Sequence, residues 1–199
     1  MQNPSDRARS TEDTRTRILD VALEALGQNP DLGMGGIASV AGVVRRTVYG
    51  YFPTRSDLVR TLAERAAEEV GAVLDEASAS HDSAEEVWVG FVARLWPVAH
   101  RYRVLLSLRR GEHGDEIHAL LGPVDETLAD LVRRGQDSRV FGEHLPAHVL
   151  SQVAFSAVFA IADRNRVGEN LSANAAAMTS LLILGVPETR AQELSDIQG

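Results

Sequence analysis

This sequence predicts an all-α protein of about nine helices, and three observations carry that expectation. Apolar residues recur at helical spacing, as at Val44, Val48 and Phe52, and no apolar run of period two appears anywhere in the 199 residues. Capping boxes, in which a Ser or Thr stands three residues before an acidic side chain, occur at Ser10–Asp13, Thr54–Asp57 and Ser83–Glu86. Breakers such as Asn29-Pro30 and Gly185 followed by Pro187 separate the periodic stretches.

Residues 1–9 read as a loose, charged arm. The first helix is expected from about Ser10 to Gly27, with Ile18, Val21, Ala22, Ala25 and Leu26 as its core stripe. The linker to Gly36 holds three glycines, so the second helix should start late or fray, since each glycine in a helix interior costs ~1 kcal/mol relative to Ala. Ile37, Ala38 and Ala41 share one face, and Gly42 permits the positive φ that a tight turn needs. Val44, Val48 and Phe52 then follow at i, i+4 and i+8 and are expected to close onto Ile37 and Ala38. That leaves Arg45, Arg46, Thr47, Tyr49 and Tyr51 on the remaining surface. Two short helices meeting at a glycine, the second presenting arginines and tyrosines, read as a helix-turn-helix suited to nucleic acid.

A fourth helix is expected from Arg55 to about Glu76, rigid enough to link the reading unit to the rest, with a polar break at Ala77 to Asp82. Ser83 opens a helix whose wide apolar stripe is Val87, Trp88, Phe91, Val92, Leu95 and Trp96, and Pro97 should kink or end it. Further turns follow at Arg101 to Leu108, a loop at Gly111 to Gly114 and a helix at Ile117 to Arg134. From Pro146 to Arg164 the apolar residues cover every side, which predicts a helix buried all round. A small-residue helix from Ser172 to Leu184 ends at Gly185.

The segment from Thr14 to Leu58 resembles the DNA-binding domain of the TetR family of transcriptional regulators. The likeness rests on Arg17-Ile18-Leu19-Asp20-Val21-Ala22, on Ile37-Ala38 with Ala41-Gly42-Val43, and on the unbroken run from Thr47 through Tyr51-Phe52-Pro53 to Leu58. Gly33 and Val44 stand where that family usually has a hydroxyl side chain at a helix start. The resemblance implies two domains: a helix-turn-helix domain at 10–60, and a helical effector-binding and dimerisation domain at 61–199. It also makes Tyr51 and Arg55 contacts to backbone phosphate, and Arg45, Arg46, Thr47 and Tyr49 groove-facing residues.

Charge supports that division. The net charge of −8 argues against nucleic acid, yet residues 32–60 hold Arg45, Arg46, Arg55 and Arg60 against Asp57 alone, a local +3. Residues 61–199 hold twelve Arg against twenty-one acidic residues, so the acidity belongs to the other domain. Every basic residue is Arg. Cysteine is absent, which excludes disulfides and thiolate chemistry and fits a reducing cytoplasm. The first seventeen residues lack an apolar core of the kind a secretory signal needs. The uncharged stretch from His144 to Ala162 carries too many polar residues for a membrane span of ~20 apolar residues.

Outside the helix-turn-helix, Trp88, Phe91, Trp96 and His100 on one helix and Phe155 and Phe159 on another are candidates for the wall of a ligand pocket. Aromatic stripes more often fill cores, and that reading stands beside it. His144 and His148 are four apart, but Pro146 intervenes and no carboxylate pattern accompanies them, so no metal is expected. No nucleophile elbow, Walker loop or dinucleotide fingerprint is present, so neither an enzyme nor a cofactor is expected. The expectation is a cytoplasmic homodimeric regulator of transcription, a repressor that binds a double-stranded DNA operator and answers to a small apolar effector. A regulator held by a protein partner and a helical enzyme are the alternatives. Turnover of a compound would mark the enzyme, and a stable hetero-complex the partner-controlled regulator.

Overall fold

The computed structural model describes residues 4–108, 114–164 and 171–196. Ten helices account for most of them, with no strand among the described residues: α1 (Pro4–Gln28), α2 (Met34–Val40), α3 (Arg45–Tyr51), α4 (Arg55–Ser80), α5 (Ala84–Tyr102), α6 (Val104–Leu108), α7 (Gly114–Asp137), α8 (Ala147–Arg164), α9 (Ala173–Ile183) and α10 (Glu188–Asp196). The chain divides into two compact units, Met1–Arg65 with Val104–Ile117, and Ala66–Arg103 with His118–Gly199.

In the first unit α1 packs on α2 and α6, and α2 packs on α3. Its core is Ile18, Leu19, Ala22, Leu26, Ile37, Ala38, Val48, Phe52, Leu58 and Leu62, all buried. α1 begins at Pro4, so the expected helix start and capping box at Ser10 and, from residue 4 onward, the expected loose arm at 1–9 are overturned; residues 1–3 lie outside the described residues. Proline is suited to a first helical position, where its missing N–H would have no partner in any case and its fixed φ already matches the helix. α2 likewise starts earlier than its glycines imply. Met34 opens it, Gly33 caps it in extended conformation without a side-chain bond, and Gly35 and Gly36 sit inside its first turn.

Gly42 does what the turn requires. Its φ is +64°, its N–H donates to the carbonyl of Ser39 at 3.2 Å, and the N–H of Val43 donates to that of Ala38 at 3.0 Å. This pair of bonds closes a helix through a left-handed residue and satisfies two carbonyls that would otherwise lack donors. The same closure recurs at Gly185 after α9, and at Arg139 after α7, where a non-glycine residue takes φ 62°.

In the second unit α5 lies against α8, α9 and α10, and the α8–α9 pair shares the largest contact. Ser83 caps α5 by accepting from the N–H of Glu86, and Ser172 caps α9 by accepting from that of Ala175. Pro97 does not end α5, which continues to Tyr102. Side-chain burial on both sides of the proline, at Leu95, Val98 and Ala99, holds the helix through the lost ladder bond. The polar break expected at 77–82 shrinks to residues 81–83, and α7 runs past Arg134 to Asp137. Of the loop expected at Gly111 to Gly114, residues 111–113 lie outside the described residues and Gly114 opens α7. α10 was not expected at all. Its Arg190 guanidinium is bound to the buried carboxylate of Glu85 at the start of α5, with Nε donating at 2.8 Å.

One further expectation fails informatively. α8 is not buried all round: Leu150, Ala154, Phe155, Val158 and Phe159 are inside, whereas Val153, Ser156 and Ala160 are exposed, Val153 at 45%. Leu182 on α9 is 42% exposed. A single chain therefore covers one side of this helix pair and leaves apolar side chains on the other. No helix among the described residues is long and apolar enough to cross a membrane.

Candidate functional site

The exposed side of α3 is built by what anchors its buried side. Val48 and Phe52 are 0% and 1% exposed, and Arg15 of α1 covers the Phe52 ring at 5.6 Å from its centroid. Val48 is thus fixed inward, and the residues at other angles of the helix must face out. Arg45, Arg46 and Tyr49 are exposed, and Thr47 and Tyr51 half-buried, with the Tyr51 ring 6.4 Å from that of Phe52. Val44 is the exception to the expected core stripe. It is 70% exposed, because as the N-cap of α3 it has extended φ and ψ of −74° and 149°, and helical i, i+4 spacing does not extend to a residue outside the helix. Val40, at the end of α2, is exposed too.

Behind this surface the frame is stapled by polar bonds. The Thr54 hydroxyl donates to Asp57 Oδ2 at 2.7 Å, the Asp57 N–H donates to Thr54 Oγ1 at 3.0 Å, and the Thr54 N–H returns to Asp57 Oδ2 at 3.1 Å. That reciprocal box starts α4 where the sequence places it. The Thr54 hydroxyl, set against some burial and helped by Arg60, holds the Asp57 carboxyl below its ordinary value. Arg65 pairs with Asp20 of α1 at 2.7 Å. Arg55, half-buried, donates through Nη2 to the carbonyl of Pro30 in the α1–α2 loop, so part of its guanidinium serves the domain itself.

The six aromatic and histidine candidates fall into two groups. Trp88, Phe91, Phe155 and Phe159 form one chain of rings: Trp88 meets Phe91 edge-on at 6.1 Å, Phe91 stacks on Phe155 at 6.1 Å, and Phe155 meets Phe159 edge-on at 5.0 Å. All four are buried, and the Trp88 indole donates to the buried Ser180 hydroxyl of α9 at 2.9 Å. Trp96 and His100 form a separate, half-buried pair with ring centroids 4.6 Å apart. Burial, then the positive charge of Arg103, hold the His100 imidazole below its ordinary pKa and so neutral. One and two residues further along α5, Arg101 Nη1 and the Tyr102 hydroxyl donate to Glu69 of α4, each at 2.7 Å. Sequence reading missed that anchor, since nothing local links residues 69 and 101. His144 and His148 are exposed, and no group of three or more metal-binding side chains gathers among the described residues.

The chain is 40% identical over 77 residues to the HTH-type transcriptional repressor LfrR of Mycolicibacterium smegmatis, a match covering 39% of this chain and 41% of LfrR. It thus spans about two fifths of the length of that curated relative. No family model matches. Among solved structures, the TetR-like regulator LfrR from Mycobacterium smegmatis in complex with proflavine superposes with a TM-score of 0.66 at 23% identity, over 89% of this chain and 96% of that one. RolR in complex with resorcinol gives 0.61 at 23%, over 94% and 95%. The TetR-family regulator PfmR from Thermus thermophilus gives 0.70 at 17%, over 85% and 98%. At these identities the structural likeness is one of fold, and it extends over both units.

Proposed function

We propose that this chain is a TetR-family transcriptional regulator and that it acts in the cytoplasm as a homodimeric, ligand-responsive repressor on a palindromic DNA operator. The observation that carries the reading is α3 itself, a helix held inward by Val48 and Phe52 that presents Arg45, Arg46 and Tyr49 to solvent. Thr47, Tyr51 and Arg55 complete the DNA surface. The local charge of +3 in a chain of net −8 supports it, because phosphate attraction supplies much of any DNA affinity.

The uncovered faces of α8 and α9, with Val153 and Leu182 exposed, support pairing with a second copy as a four-helix bundle. A dimer reads half-sites about one helical turn, ~34 Å, apart. The effector is small and largely apolar. It enters at the half-buried Trp96–His100 pair and acts by opening the closed packing of the ring chain of Trp88, Phe91, Phe155 and Phe159. LfrR in complex with proflavine and RolR in complex with resorcinol are proteins of the same fold with an aromatic small molecule bound. Glu69 gives the signal a route, because it ties α4 to the turn of α5 that follows His100. Reversing occupancy from 99:1 to 1:99 takes ~5.5 kcal/mol of differential affinity, under ~3 kcal/mol from each of two sites. That lies within ordinary allosteric coupling.

Selection of duplexes from a random pool tests the function. The expected product is a palindrome, bound by a species that sediments as a dimer of 21.5 kDa chains. Enrichment of no sequence contradicts the reading. So does tight operator binding by a monomer.

A further inference from the structure

We infer that Gly35 is a seat for the Arg45 side chain, which directs Arg45 to a DNA backbone phosphate and leaves base reading on α3 to Arg46. This rests on the DNA-binding reading above and refines it. A Cβ built on Gly35 falls 2.7 Å from Arg45 Nη2, 2.8 Å from Nε and 2.9 Å from Cζ, so the guanidinium lies directly over the Gly35 backbone. A larger residue there would displace the guanidinium, the far end of an exposed side chain, from this position. The neighbouring glycines are different: Gly36 makes room for the Leu32 side chain inside the domain, and Gly33 has nothing within 4 Å. A glycine in the first turn of a seven-residue helix is unfavourable relative to Ala, and the seat supplies its reason.

The direction of the side chain decides the contact. Arg45 is the first residue of α3, yet its guanidinium lies back across the first turn of α2 instead of along the α3 axis. In a docked helix-turn-helix the first helix of the pair crosses the sugar-phosphate backbone while the second lies in the major groove. A planar guanidinium held against the first helix therefore faces the strand that helix crosses, and it offers phosphate two parallel donors. Arg46, one residue on and exposed, is rotated by about 100° around α3 and keeps the groove direction. Adjacent arginines thus divide the work: one sets register and the other distinguishes bases.

The test measures affinity and salt dependence of Gly35→Ala, Arg45→Ala, the double variant and Arg46→Ala on the duplex selected by the wild type and on a scrambled duplex. Arg45→Ala should weaken both duplexes by the same factor, about tenfold, and lower the slope of log K against log salt by about one. Gly35→Ala should reproduce part of that loss with a melting temperature equal to or above wild type, and should add nothing in the Arg45→Ala background. Arg46→Ala should instead erode the preference for the selected duplex. Additive losses in the double variant, or an unchanged Gly35→Ala, overturn the seat. Loss of preference in Arg45→Ala, with general affinity intact, overturns the phosphate assignment whatever Gly35→Ala does. A wild-type protein that selects no DNA overturns the DNA-binding reading, a result distinct from either.

Discussion

The exposed face of α3 and the ring chain of α5 and α8 place aromatic side chains at opposite extremes of burial. Tyr49 is 49% exposed, next to two exposed arginines and beside a turn with little bulk. Trp88 and Phe91 are 0% exposed, enclosed by Phe155, Phe159 and Ser180. Similar residue types therefore stand in different settings: in the first region polar tips and charge are left in solvent, and in the second ring area is removed from water and holds helices together. Function on α3 should be separable from stability. In the ring chain the two should be hard to separate.

Phe91→Ala breaks that contrast most strongly if it is wrong. Truncating a fully buried ring costs ~3–5 kcal/mol, so denaturant unfolding should show a loss of that size, while Arg46→Ala leaves the midpoint where it was. Equal small effects would mean that the rings line open space. Ser180→Ala is next: it strands the Trp88 N–H without a partner at full burial, at a cost of about 1–3 kcal/mol. Trp88→Phe in the same background should be cheaper than Trp88→Phe alone, because the N–H it removes there has already lost its acceptor.

Much of the fold was legible because its signals are local. Glycine at 42 before a turn, Thr54 three residues before Asp57 and Ser83 three before Glu86 each specify a helix end within a few residues, and all three act as read. The rest depended on distant partners. α10 carries few apolar residues, Ala191 and Leu194 among them, and is tied in by Arg190 reaching Glu85 far along the chain. Pro97 is tolerated because packing on both sides outweighs one lost bond. Val44 left the core because capping geometry overrode periodicity. At the candidate site the arginines and tyrosines were visible as residue types, whereas the cradle at Gly35 joins two helices across the turn and looked like mere helix weakness. The aromatic set was visible too, but periodicity cannot separate the buried four from the half-buried Trp96–His100 pair.

A smaller effect concerns the capping box that starts α4. Thr54→Ala removes the α4 cap and should cost ~1 kcal/mol. Because the Thr54 hydroxyl is the main reason Asp57 stays ionised to lower pH, its carboxyl should titrate nearer its ordinary value of 3.8 in the variant, as side-chain carbon chemical shifts would report. The sign follows from linkage. A carboxyl whose folded pKa is lowered stabilises the fold above its unfolded value and loses that contribution as pH falls through the folded one, so the wild type's advantage over the variant should shrink below about pH 4. The smallest effect is at His100. Burial and Arg103 keep it neutral, so acidification below its ordinary 6.5 should weaken the second unit slightly, with no such change in a His100→Gln variant.

The most direct test of the division of labour is the salt dependence of wild-type binding to its selected duplex, followed by fluorescence anisotropy and set beside Arg46→Ala. A basic reading surface predicts a linear fall of log K with log salt, with a slope of about −0.9 for each phosphate neutralised, and a loss of ~1–3 kcal/mol in operator preference for Arg46→Ala at unchanged stability. Binding that is insensitive to salt, with Arg46→Ala indistinguishable from wild type, would contradict the assignment of α3 as the surface that meets DNA.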